Sequence, residues 1–80
     1  MLLSFGEALE LLEQGKKIAR FGWNGKGMFL KLIKEDDYKL FYETDYQRYA
    51  FIAMKTADNK MVPWLASQTD ILAKDWTEVQ

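Results

Sequence analysis

Residues 4–15, SFGEALELLEQG, constrain the fold more than any other stretch of the chain. Ser4 followed by Glu7 is a capping box, in which a hydroxyl and a carboxylate each answer an amide that the first helical turn leaves without a partner. Phe5, Ala8, Leu9 and Leu12 then recur at the spacing of one helical face, while Glu10 and Glu13 point away from it. Gly15 supplies the left-handed conformation that ends a helix. An amphipathic helix near the N-terminus follows, and its apolar stripe needs a surface to cover.

The rest of the chain reads as that surface. Residues 17–21 and 28–34 have strand character, and neither face of 28–34 is polar throughout, which suits a central strand. Residues 50–56 and 61–64 flank Ala57-Asp58-Asn59-Lys60, where Asp and Asn accept tight-turn dihedrals, and Pro63 ends the second strand. Residues 75–79 make a last strand carrying Trp76. Ser67, with Asp70 three residues on, caps a short second helix near residues 68–73. Residues 35–49 hold all four tyrosines and fit a helical stripe or a hairpin, with β the preferred reading. The fold class is α+β: an N-terminal helix packed on a mainly antiparallel β-sheet, plus a short second helix, in a single domain spanning residues 1–80.

Composition narrows the chemistry. The chain has no cysteine and no histidine, which removes disulfides, thiolates, the usual zinc ligands and the commonest general base. A formal net charge of -1 argues against a long nucleic acid as partner. Apolar runs are too short for a membrane span or a signal peptide, so a soluble, cytoplasmic protein is expected. The 49% hydrophobic content, with three Trp and five Phe, exceeds what a small core obviously needs. Either the monomer core is dense or a second copy covers the surplus.

The charge is unevenly spread. From Gly15 to Lys34 there is no acidic residue, only Lys16, Lys17, Arg20, Lys26, Lys31 and Lys34, between flanks rich in Glu and Asp. Such a stretch suits a small anion. Within it lies RFGWNGKGMF, residues 20–29. Asn24-Gly25 is a hairpin-turn dipeptide, and neither the dinucleotide-binding glycine pattern nor the P-loop pattern fits. Turn chemistry leaves Trp23 beside Lys26 unexplained: a planar ring, a cation and exposed amides make a seat for a base and a phosphate. A second stretch, PWLASQTD, residues 63–70, sets Trp64 before Ser67, Gln68 and Thr69 at a helix N-terminus, where free amides favour an anion. Capping and core filling account for the same residues. If the two stretches meet, they make the walls of a small-molecule pocket. No activated nucleophile or matched acid–base pair can be named, and Asp36–Asp37 reads as a solvated turn. Binding rather than catalysis is expected.

The segments GWNGKGM and PWLASQTD, with FGEALELLEQGKKIAR before and DILAKDWTEV after, closely resemble the second Thoeris anti-defence family of phages and prophages. The resemblance covers the chain apart from residues 35–49. It implies a non-enzymatic sponge in the cytoplasm of an infected or lysogenic host. Such a sponge holds a cyclic ADP-ribose-type signal (glycocyclic ADP-ribose) intact, so that the Thoeris effector is not activated. It implies a homo-oligomer, a tetramer in the family, with the pocket between subunits, and in some members a separate site for cyclic dinucleotides. No cofactor is implied. Carried onto this sequence, Trp23 and Trp64 stack on the adenine, and Phe5 and Met28 line the apolar wall. Asn24, Lys26, Ser67, Gln68 and Asp70 supply the polar groups for phosphates and riboses. The competing class is a protein-interaction module that docks its aromatic surface on a host protein.

Overall fold

The computed structural model describes residues 1–38 and 49–80; the side chains of Asn24, Gly25, Asp36 and Tyr38 are also outside the description. The chain runs α1 (Phe5–Glu13), β1 (Lys17–Arg20), β2 (Phe29–Ile33), β3 (Phe51–Lys55), β4 (Met61–Pro63), α2 (Gln68–Leu72) and β5 (Trp76–Val79). The five strands form one sheet in the order β4-β3-β2-β1-β5, with every neighbour antiparallel. The α+β class expected from the sequence is the class observed.

Both ends of α1 form as its local chemistry dictates. The Glu7 amide donates to Ser4 Oγ at 3.2 Å and the Ser4 amide donates to Glu7 Oε1 at 2.9 Å. Gly15 takes φ 87°. Its amide donates to the Leu12 carbonyl, and the Lys16 amide to the Leu11 carbonyl, the paired bonds of a Schellman motif. The turn at Asn59 is likewise as read, with φ 68° and its amide on the Thr56 carbonyl.

Cross-strand register sorts the sheet into two faces. Ile18 pairs with Leu30, Leu30 with Met54, and Arg20 with Trp76, so these side chains share the face that α1 covers. There Ala8, Leu12, Ile18, Leu30 and Trp76 are fully buried and form the core. The other face carries Ala19 and Ala53, both buried, beside Lys17, Phe29, Lys31 and Lys55. Lys17 Nζ stands 4.8 Å from the centre of the Phe29 ring.

Two expectations change. The β1–β2 connection is not a two-residue turn on Asn24-Gly25. A 3-10 helix, Phe21–Lys26, fills it, and the left-handed residue is Gly27 at φ 69°. The reason is register: pairing Ile18 with Leu30 centres the connection on Asn24, which no two-residue turn can do. The Phe21 amide still follows the β1–β5 register and donates to the Asp75 carbonyl. Second, the β preference for residues 35–49 fails where it can be compared, since Glu35–Tyr38 is a short 3-10 helix; residues 39–48 lie outside the described residues. Asp37 closes a turn there, its carboxylate accepting from the Lys34 amide at 2.8 Å.

Candidate functional site

The aromatic residues singled out in the sequence converge on one ring. Trp76 is completely buried, fixed on β5 by its pairing with Arg20 and by the bridge from Leu3. Trp23, in the 3-10 helix after β1, meets it edge-on at 5.5 Å and 83°. Trp64, just after β4, meets it edge-on at 6.1 Å and 85°. Phe5, the first residue of α1, touches both, with its ring centre 5.4 Å from Trp76 and 6.0 Å from Trp64. Edge-to-face contact matches the positive rim of one ring to the negative face of the next. Trp23 and Trp64 make no direct ring contact; Trp76 joins them. Both residues are half-buried.

The polar residues divide into two groups. Lys26 and Gln68 are exposed, and among the described residues no hydrogen bond or ion pair occupies either side chain. Met28 is half-buried at the entry to β2. Lys55, which sequence reasoning passed over, reaches the same loop and donates to the Gly27 carbonyl at 3.0 Å. Ser67 and Asp70, by contrast, are already engaged. Ser67 Oγ accepts from the Asp70 amide at 3.2 Å, donates to Asp70 Oδ2 at 2.8 Å and lies 2.9 Å from Thr69 Oγ1. Asp70 Oδ2 also accepts from the Ser67 amide at 3.3 Å. The side chain of Asn24 is outside the description, though its backbone lies in the 3-10 helix.

Asp70 is the junction of this loop. Its Oδ1 accepts from Arg20 Nη1 at 3.1 Å, and its carbonyl accepts from the Trp76 indole N–H at 2.9 Å. Arg20 also donates from Nε to Asp75 Oδ1 at 2.9 Å. Burial pushes the Asp70 carboxyl upward, but the hydrogen bonds from Ser67 and Arg20 outweigh it and hold the group below the ordinary carboxylate range. Arg20 is held above its ordinary value, first by Asp75. One guanidinium between two carboxylates leaves this corner net negative. The N-terminus of α2, where the sequence suggests an anion seat, is answered by the helix's own Asp70.

Sequence reasoning missed Trp76, Arg20 and Asp75 as parts of the site. Their partners lie 50 to 55 residues away for Arg20, and no local spacing announces that. Among the described residues, no group of three or more His, Cys, Asp or Glu is placed to hold a metal ion. No helix among them is long and apolar enough to cross a membrane. A groove of about 410 Å³ opens elsewhere, along Leu3, Leu11 and Thr77 beside β5, and none of the sequence-predicted site residues lines it.

Comparison with known proteins bears on the same residues. The Thoeris anti-defense 2-like (Tad2-like) domain family matches residues 3–79. Thoeris anti-defense 2 of Bacillus phage SP01 is 47% identical over 81 residues, which covers 92% of this chain and 91% of that protein.

Proposed function

The chain belongs to the Thoeris anti-defense 2-like family, and from that premise we propose that it binds a cyclic ADP-ribose-type immune signal, glycocyclic ADP-ribose, and holds it without cleaving it. The observation that carries the reading is the convergence of Trp23, Trp64 and Phe5 on Trp76, with Lys26 and Gln68 uncommitted nearby. Half-open indole rings stack on a base, a flexible cation meets a phosphate, and an amide meets ribose hydroxyls. Met28 closes the apolar wall. Nothing in this set activates water or attacks a phosphoanhydride, so the ligand leaves as it entered.

The two tryptophans each pack near-perpendicular to Trp76 and not against each other, so within one protomer they are joined only through a core ring. We propose that a homo-oligomer, a tetramer, completes the enclosure. Supporting this, Phe21 (67% exposed), Leu65 (91%) and Leu72 (70%) are large apolar side chains left open on or next in sequence to the loops that carry Trp23 and Trp64. Monomers rarely leave such a collar uncovered.

The test is direct. Protein is incubated with glycocyclic ADP-ribose, freed of unbound ligand, heat-denatured, and the supernatant is read by mass spectrometry. Recovery of intact signal in proportion to protein is expected. Fragments would make the protein a hydrolase, and absence of uptake would leave a protein-interaction module as the better reading. Cyclic dinucleotides added in competition establish whether they share the site or bind apart from it.

A further inference from the structure

Asp70 stands among the ligand-contacting groups that the sequence suggests, yet its contacts point inward. We infer that Asp70 and Arg20 are positioning residues: their ion pair locks the loop of residues 63–70 onto the Trp76 platform and so sets where Trp64 and Gln68 meet a ligand. The inference rests on the sequestration reading for what the loop presents, but not for how the loop is held.

α2 has only five residues, too few to be stable as an isolated helix. It buries no residue of its own, and Ile71 and Leu72 are exposed. Apolar packing therefore does little to hold it. What holds it is polar and converges on one residue. Asp70 Oδ2 takes the Ser67 amide and hydroxyl, and its Oδ1 takes Arg20 from β1. Its carbonyl takes the buried Trp76 indole and the Ala73 amide. Arg20 in turn spends Nε and Nη2 on Asp75, just before β5. The guanidinium thus ties the first strand, the short helix and the entry to the last strand together. The Asp70 side chain is 17% exposed, and both its oxygens are taken. The bonds to Ser67 and Arg20 hold the carboxylate to the loop and to β1, and a ligand's phosphates are repelled by the carboxylate pair of Asp70 and Asp75.

The test uses the full chain and three variants: Arg20→Gln, Asp70→Asn and the two combined. Hydrogen exchange of the Ile71 amide, which donates to the Ser67 carbonyl at 3.0 Å, reports loop order without ligand. Calorimetry with glycocyclic ADP-ribose reports affinity under conditions where every variant is folded. Each single variant is expected to speed Ile71 exchange by about tenfold or more and to weaken binding by about tenfold. The double variant should be no weaker than the worse single one, because the two residues act through one contact. Asp75→Asn, which leaves Arg20 and Asp70 in contact, gives the same signs at smaller amplitude and serves if Arg20→Gln does not fold. Unchanged exchange would overturn the inference, as would faster exchange with wild-type affinity, or losses that add in the double variant. If the wild type takes up no nucleotide, the sequestration reading fails, while the exchange arm still decides whether the network holds the loop.

Discussion

Replacing Trp64 by alanine separates a ring that fills the core from a ring that holds a ligand. The structure sets the stability cost. Trp64 is half-buried and makes two aromatic contacts, with Phe5 at 6.0 Å and with Trp76 at 6.1 Å. Each such pair contributes about 0.5–1.5 kcal/mol beyond the area it buries, so the two pairs alone cost about 1–3 kcal/mol, and the lost burial of the half-buried ring brings the total toward that of a full Trp truncation, about 3–5 kcal/mol. A domain of this size has about 4–12 kcal/mol of stability and loses about 4–8 °C in Tm per kcal/mol, so the variant stays folded at 25 °C with a visibly lower midpoint. If the open part of the ring also stacks on a base, binding loses a further about 1–3 kcal/mol, or about 5- to 150-fold in Kd. The assay pairs thermal melting with calorimetry at 25 °C. Leu12→Ala is the control: Leu12 is fully buried in the core, its truncation costs about 2–5 kcal/mol, and it is not among the residues assigned to the ligand. It should melt below the wild type by a comparable amount yet bind like the wild type once folded. Wild-type affinity in Trp64→Ala, with the melting loss intact, would show that the ring serves packing alone and would refute the stacking role.

Trp23→Ala should lose less stability than Trp64→Ala, because Trp23 has one aromatic contact rather than two, but should lose affinity to a similar degree; equal affinity to wild type in calorimetry refutes it. Gly27→Ala places a Cβ in a backbone with φ 69° and 3.5 Å from Lys55 Nζ, so about 1–2 kcal/mol should be lost in urea unfolding. Acidification should destabilise the fold through Asp70 and Glu7, whose folded values lie below the ordinary carboxylate range. The unfolded chain then binds more protons, so their contribution is intact at neutral pH and fades as pH falls from about 4 through the folded values. Asp70→Asn should flatten that part of a stability–pH curve, and an unchanged curve would contradict the assignment.

The features legible in the sequence are those whose partners lie a few residues apart. Ser4 with Glu7, Ser67 with Asp70, the terminator at Gly15 and the turn at Asn59 each satisfy backbone groups within one turn of chain, so residue identity and spacing suffice to place them. The α+β class followed from those elements and from the apolar stripe of α1. The same locality made Trp23 and Trp64 visible as large rings beside polar turns. Where locality misled was the β1–β2 connection: Asn24-Gly25 is a good hairpin dipeptide, but register across the sheet made the connection longer and moved the left-handed residue to Gly27.

The sequence by itself determined the helix ends, the turn at Asn59, the strand-rich remainder and the two aromatic loops, because short-range hydrogen bonding and sterics act on neighbours in the chain. Only the tertiary structure decided that both loops meet at Trp76, that Arg20 spans Asp70 and Asp75, and that the Asp70 carbonyl receives the Trp76 indole. Those contacts depend on β5 returning to pair with β1 at the sheet edge. Such pairing is selected by the burial of one large ring and the charge balance around one guanidinium, and neither leaves a periodic mark in the sequence.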